Sequence, residues 1–111
     1  MSTIFNKIIQ KEIPADIVYE DDEILAFKDI HPIAPVHLLI VPKKEIADLQ
    51  SVSLEDLPLV AKAISVVQKL AAEFGIEDGY RLIVNNGSGA GQSIAHLHFH
   101  LVGGRTFAWG G

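Results

Sequence analysis

The chain contains no cysteine, which excludes disulfides and thiolate metal sites and permits a reducing compartment. It has no block of Lys or Arg, and 9 basic against 14 acidic residues leave a formal charge of −5. A duplex or a long RNA would meet net repulsion, so a nucleic-acid polymer is disfavoured as a ligand. A single mononucleotide is a different matter, because it needs only a local nest of donors. There is no N-terminal apolar run with a basic flank, and no stretch approaches a membrane span. We therefore expect no signal peptide, no membrane partner and a cytoplasmic location.

What is present is apolar: 49% of the 111 residues are hydrophobic. That suits one globular domain over residues 1–111, long enough to bury a real core. Ser2 or Thr3 can cap a short helix running to about Gln10, with Ile4, Phe5 and Ile8 on one face, and Pro14 ends it. Ile17 to Glu20 reads as a strand, Asp21-Asp22 as a turn and Ile24 to Lys28 as the returning strand. Asp29 to Pro35 carries two prolines and reads as loop, with His31 a loop residue inside it. His37 to Val41 is an apolar strand stopped by Pro42, and Lys43-Lys44 are solvated.

Ser53-Leu54-Glu55-Asp56 resembles a capping signal. Beyond it Leu57, Val60, Ala61, Ile64, Val67, Ala71 and Phe74 recur at helical spacing, and Gly75 supplies the stop. Pro58 fits only near a helix start, so the first turn is expected to be separate or irregular. Tyr80 to Val84 and His96 to Val102 read as the last two strands, with a glycine-rich loop between them. The sum is an α+β domain: a mainly antiparallel five-stranded sheet with one long and one short helix. Phe107 and Trp109 sit in a tail with no evident core of its own, which suggests self-association.

The chemistry concentrates in Gly91-Gln92-Ser93-Ile94-Ala95-His96-Leu97-His98-Phe99-His100-Leu101-Val102. On an extended strand the three histidines share one face, roughly 6–7 Å apart, and Leu97, Phe99 and Leu101 share the other. Three readings follow. A metal site is one, since imidazole binds zinc and His37 could complete four ligands, but strand-mates on a line suit one tetrahedral ion badly. A phosphate-handling nucleophile is the second: imidazole can attack phosphorus, a neighbouring histidine can move protons, and Gly87, Gly89 and Gly91 could form an anion nest beside the Ser93 hydroxyl. A non-catalytic nucleotide-binding or interaction module is the third, and it would use the same residues.

The run His96-Leu97-His98-Phe99-His100-Leu101-Val102 resembles the signature of the histidine-triad superfamily. Further blocks resemble its nucleotide-binding-protein branch: Ile9 to Ala15, Ala26 to Ile30, Ala34 to Lys43, Gly79-Tyr80-Arg81, Gly91-Gln92-Ser93 and Gly103-Gly104-Arg105. The resemblance implies a homodimer whose sheets join. It also implies hydrolysis of purine nucleoside 5′-phosphoramidates, such as adenylated amines and AMP-lysine, through a nucleotidyl-histidine intermediate. Dinucleoside polyphosphate hydrolysis is the alternative from a neighbouring branch. By position, His98 would be the nucleophile, His100 and His37 would contact phosphate and help proton movement, and His96 would orient His98 through its carbonyl. Asn85, Gly91, Gln92 and Ser93 would surround the phosphate, and Asp29 would accept from the ribose hydroxyls. Ile4, Phe5, Ile8, Phe27, Ile30 and Leu39 would wall the base. Trp109 would reach toward the partner's site, although the tail lacks the polar and proline residues many relatives carry. No cofactor is implied, and adventitious zinc is compatible with the imidazoles.

Overall fold

Short local signals set the first element of the computed structural model, which describes residues 3–110. Helix α1 (Ile4–Ile9) starts at Thr3, whose hydroxyl accepts the Asn6 amide while Asn6 Oδ1 accepts the Thr3 amide at 2.8 Å. That reciprocal cap satisfies two end donors. The other candidate cap, Ser2, lies outside the described residues. Pro14 is not what ends the helix. Lys11 takes a left-handed conformation (φ 63°), letting its own amide reach the Ile8 carbonyl and the Glu12 amide reach that of Lys7. This double bond pattern closes a helix before any proline is met.

Strands β1 (Ile17–Glu20), β2 (Ile24–Lys28), β3 (Val36–Pro42), β4 (Tyr80–Ile83) and β5 (Phe99–Gly103) form one sheet in the order β1-β2-β3-β5-β4, and every neighbouring pair is antiparallel. The expected α+β class with five strands and two helices holds. Helix α2 (Leu57–Glu73) follows a separate 3-10 turn over Leu54–Asp56 that Ser53 caps. The period-two alternation of the strands gives each sheet face its own cover. Ile24, Ala26, Leu38, Ile40, Phe99 and Leu101 pack against α2; Leu25, Phe27, Leu39 and Val41 pack under Phe5 and Ile8 of α1. The α2 stripe is Ala63, Val66, Val67, Leu70 and Ala71, with Ala61 exposed and Ile64 only half-buried. This helix is apolar around most of its circumference, so spacing alone admitted a second face. Among the described residues no helix is long and apolar enough to cross a membrane.

The last strand starts three residues later than the sequence suggests. His96 to His98 lie outside the ladder, and β5 begins at Phe99, opposite Ile40. Pro42 explains the break, because it brings no amide donor to the position where the ladder would continue. Its carbonyl instead accepts from His96 Nε2 at 2.8 Å, and the Leu97 amide donates to the Ile46 carbonyl at 2.7 Å. The triad therefore begins on a lead-in tied to the β3 exit and enters the sheet only with its third member.

Candidate active site

A cavity of about 630 Å³ opens on the sheet face that α1 covers. Ile4, Phe5, Ile8, Phe27 and Leu39 give it apolar walls, and Asp29, Ser93, His98 and His100 supply polar groups, with Ile30 and His31 also on its lining. Most of the residues singled out in the sequence thus meet here. His31, read there as a plain loop residue, is part of this wall, and its amide donates to Asp29 Oδ1 at 2.8 Å. The Asp-x-His spacing of an Asx turn was the available signal. Lys28 and the Ile13-Pro14-Ala15 segment also line the cavity without having been singled out.

The glycine-rich loop meets the cavity through its last residue and is braced internally. Of Asn85, Gly91, Gln92 and Ser93, only Ser93 lines the cavity. The amides of Ala90, Gly91 and Gln92 donate within the loop, to carbonyls of Gly87 and Ser88. Gln92 braces it: Oε1 accepts the Gly87 amide at 2.8 Å, and Nε2 donates to the carbonyls of Ala47 and Ile94 at 2.8 and 2.9 Å. Positive φ at Gly87 (85°) and Gly91 (94°) makes this tight turn compatible with glycine. Trp109, 98% exposed, is likewise absent from the cavity lining of this single chain.

Hydrogen-bond partners fix the tautomer of each imidazole, since a carbonyl only accepts and an amide N–H only donates. His98 Nδ1–H donates to the His96 carbonyl at 2.7 Å. That leaves Nε2 of a cavity-lining ring as a free base. The Ile33 amide donates to His37 Nδ1 at 3.1 Å, so the His37 proton sits on Nε2. That proton is directed to His100 Nδ1 at 3.0 Å, with Asp29 Oδ2 at 3.4 Å from the same nitrogen. His100 then carries its proton on Nε2. The site holds one base and one donor side by side, their ring centroids 5.1 Å apart.

Burial favours the neutral form of His37, His96 and His100. It pushes His100 down from 6.5 to about 4, helped by the neighbouring His98 and His37 and opposed by Asp29. Burial also lowers His37 against the pull of Asp29, and lowers His96 against its bond to Pro42. His96 is fully buried behind the cavity, with Nδ1 the one buried side-chain polar atom among the described residues that has no hydrogen-bond partner.

Asp29, His37 and His100 bring one donor atom each within 4.8 Å of one another, a spacing compatible with a metal ion. The tautomer argues otherwise. A metal-bound imidazole normally donates its second N–H outward. Here the second nitrogen of His37 faces the Ile33 amide, so metal on Nε2 would set donor against donor. The trio is arranged to share a proton.

The profile of the HIT domain family matches residues 10–107. An uncharacterized HIT-like protein of Synechocystis is 51% identical over 107 residues, covering 96% of this chain and 94% of that one. A HIT family hydrolase from Legionella pneumophila superposes with a TM-score of 0.95 at 50% identity, over 97% of both chains. A histidine triad nucleotide-binding protein from Candida albicans superposes with a TM-score of 0.84 at 34% identity, over 97% of this chain and 82% of that one. The chain belongs to the HIT domain family.

Proposed function

We propose that the protein is a nucleoside phosphoramidase, hydrolysing purine nucleoside 5′-phosphoramidates such as adenylated amines to a nucleoside monophosphate and a free amine. The observation that carries this reading is the pairing of a His98 Nε2 base with a His100 Nε2–H donor at one end of an apolar cavity. The base and sugar lie along the Phe5, Ile8 and Phe27 end, with Asp29 within reach of the ribose hydroxyls. His98 Nε2 attacks phosphorus, forming an N–P bond as the P–N bond to the amine breaks. The resulting imidazolium keeps its Nδ1–H on the His96 carbonyl, which stabilises the charge. His100 and the Ser93 hydroxyl donate to the phosphoryl oxygens as negative charge builds there. The departing nitrogen takes up a proton from solvent; water then attacks phosphorus, forming a P–O bond as the His98 Nε2–P bond breaks, and releases a proton to solvent. Splitting a hard displacement into two easier ones is the gain from a covalent nucleophile.

The family relatives described as a hydrolase and as a nucleotide-binding protein support the reading at the level of reaction class and ligand. The His37 tautomer supports a reaction that needs no metal, and the lack of cysteine suits a reducing cytoplasm. A fluorogenic adenosine phosphoramidate, assayed in excess chelator, tests the whole. His98→Ala should abolish turnover while nucleotide binding persists. A mutant rate within about tenfold of wild type would remove the covalent mechanism, since that is only ~1.4 kcal/mol of barrier.

A further inference from the structure

The donor at His100 depends on a proton whose position is set outside the cavity. If His37 carried its proton on Nδ1, its Nε2 lone pair would face His100, which would have to answer with Nδ1–H. His100 Nε2 would then present a lone pair instead of a donor to the cavity, and the polar end would repel an anion. Among the described residues the Ile33 amide is the one partner of Nδ1, and Asp29, 3.4 Å from Nε2, favours the same tautomer from the other side of the ring.

Ile33 has little else to hold it. It lies in the exposed stretch from Ile30 to Ile33, and its own side chain is 56% exposed. The tie comes from the C-terminal side of β5. Arg105 Nε–H donates to the Ile33 carbonyl at 3.1 Å. Its guanidinium lies 4.2 Å from the Phe107 ring centroid, with the Arg81 guanidinium 4.9 Å from the same ring. Arg81 also donates to the Ala108 carbonyl. Gly104, at φ 91°, brings this tail so close to the loop that a Cβ there would sit 3.0 Å from Pro35. The arginine is thus stacked and oriented before it meets the loop.

We infer that Arg105 is a positioning residue: by holding Ile33 it fixes which nitrogen of His37 carries the proton, and so keeps His100 a donor. The catalytic part of this inference rests on the phosphoramidase reading; the tautomer part does not. Two-bond 1H–15N NMR of the imidazoles, at neutral pH, reads the tautomer directly in the wild type, Arg105→Met and Arg105→Lys. The wild type should show His37 protonated on Nε2. Arg105→Met, which keeps the length of the side chain and has no donor, should show a mixture with the Nδ1–H form and lose kcat on the order of tenfold with KM little changed. Arg105→Lys, which keeps a cationic donor, should recover most of both. An unchanged His37 tautomer in Arg105→Met overturns the inference whatever happens to kcat, and a shifted tautomer with unchanged kcat overturns the positioning role. A wild type that turns over no phosphoramidate would defeat the functional reading, while the NMR result would still decide for or against Arg105.

Discussion

Asp29 stands at the crossing of two networks, and its replacement separates them. One oxygen takes the His31 amide and the other lies 3.4 Å from His37 Nε2, so the carboxylate is held in place before any ligand arrives. Charge-assisted bonds to two ribose hydroxyls contribute ~1.5–3 kcal/mol each when shielded from water. Asp29→Ala should weaken a ribonucleotide roughly 10- to 1000-fold and a 2′,3′-dideoxynucleotide far less, by calorimetric titration. Equal losses for both ligands would mean that Asp29 only holds the loop. The buried imidazoles make a second residue-level prediction. His37, His96 and His100 all lie below 6.5 in the folded chain, His100 at about 4. As pH falls below 6.5 the unfolded chain takes up protons that the folded chain refuses, so stability is full above that value and declines toward pH 4. Calorimetric melting across that window checks the sign; a Tm that rises on acidification would contradict it.

Helix α1 has only six residues, yet three of them, Ile4, Phe5 and Ile8, line the cavity. So short a helix depends on its ends. Thr3→Ala removes the side-chain cap and should cost about 1 kcal/mol in chemical denaturation. Nucleotide affinity should fall with it, because the wall frays with the helix; unchanged affinity would show that packing against Phe27 holds Phe5 unaided. Elements of this kind were legible in the sequence wherever a local rule and a tertiary contact agree. Strands β1 and β2, the Gly75 stop and the separate turn before Pro58 all lie where patterning and turn chemistry put them. The misses arise where a partner overrides the local signal. The start of β5 is decided by Pro42, 54 residues away from His96, and the face of α2 by the sheet beneath it. In the glycine loop the Gly87, Ala90, Gly91 and Gln92 amides are engaged internally, a bracing by Gln92 that composition does not show. His98 and His100 were legible because three alternating imidazoles have few other uses. The tautomers were not, since each depends on a remote carbonyl or amide.

Over the whole molecule, the sheet ends at β4, which among the described residues pairs only with β5 and leaves Tyr80 and Leu82 exposed beside it. Such an open apolar edge is a template for another strand. We expect a second copy to occupy it, joining two sheets, and the exposed Trp109 to lie at that contact. Sedimentation at micromolar concentration should report a dimer; a fully active monomer would contradict it. Within one chain, the late entry of β5 into the ladder has a consequence for how the molecule breathes. Amides of β2 and β3, paired on both sides and covered on both faces, should exchange with solvent only through global unfolding. The His96–His98 segment is anchored instead by discrete ties to Pro42 and Ile46, with its side chains buried. We expect His98 to lie on a seam in amide exchange, its own amide exchanging faster than those of β2 and β3 although its ring packs in the same core.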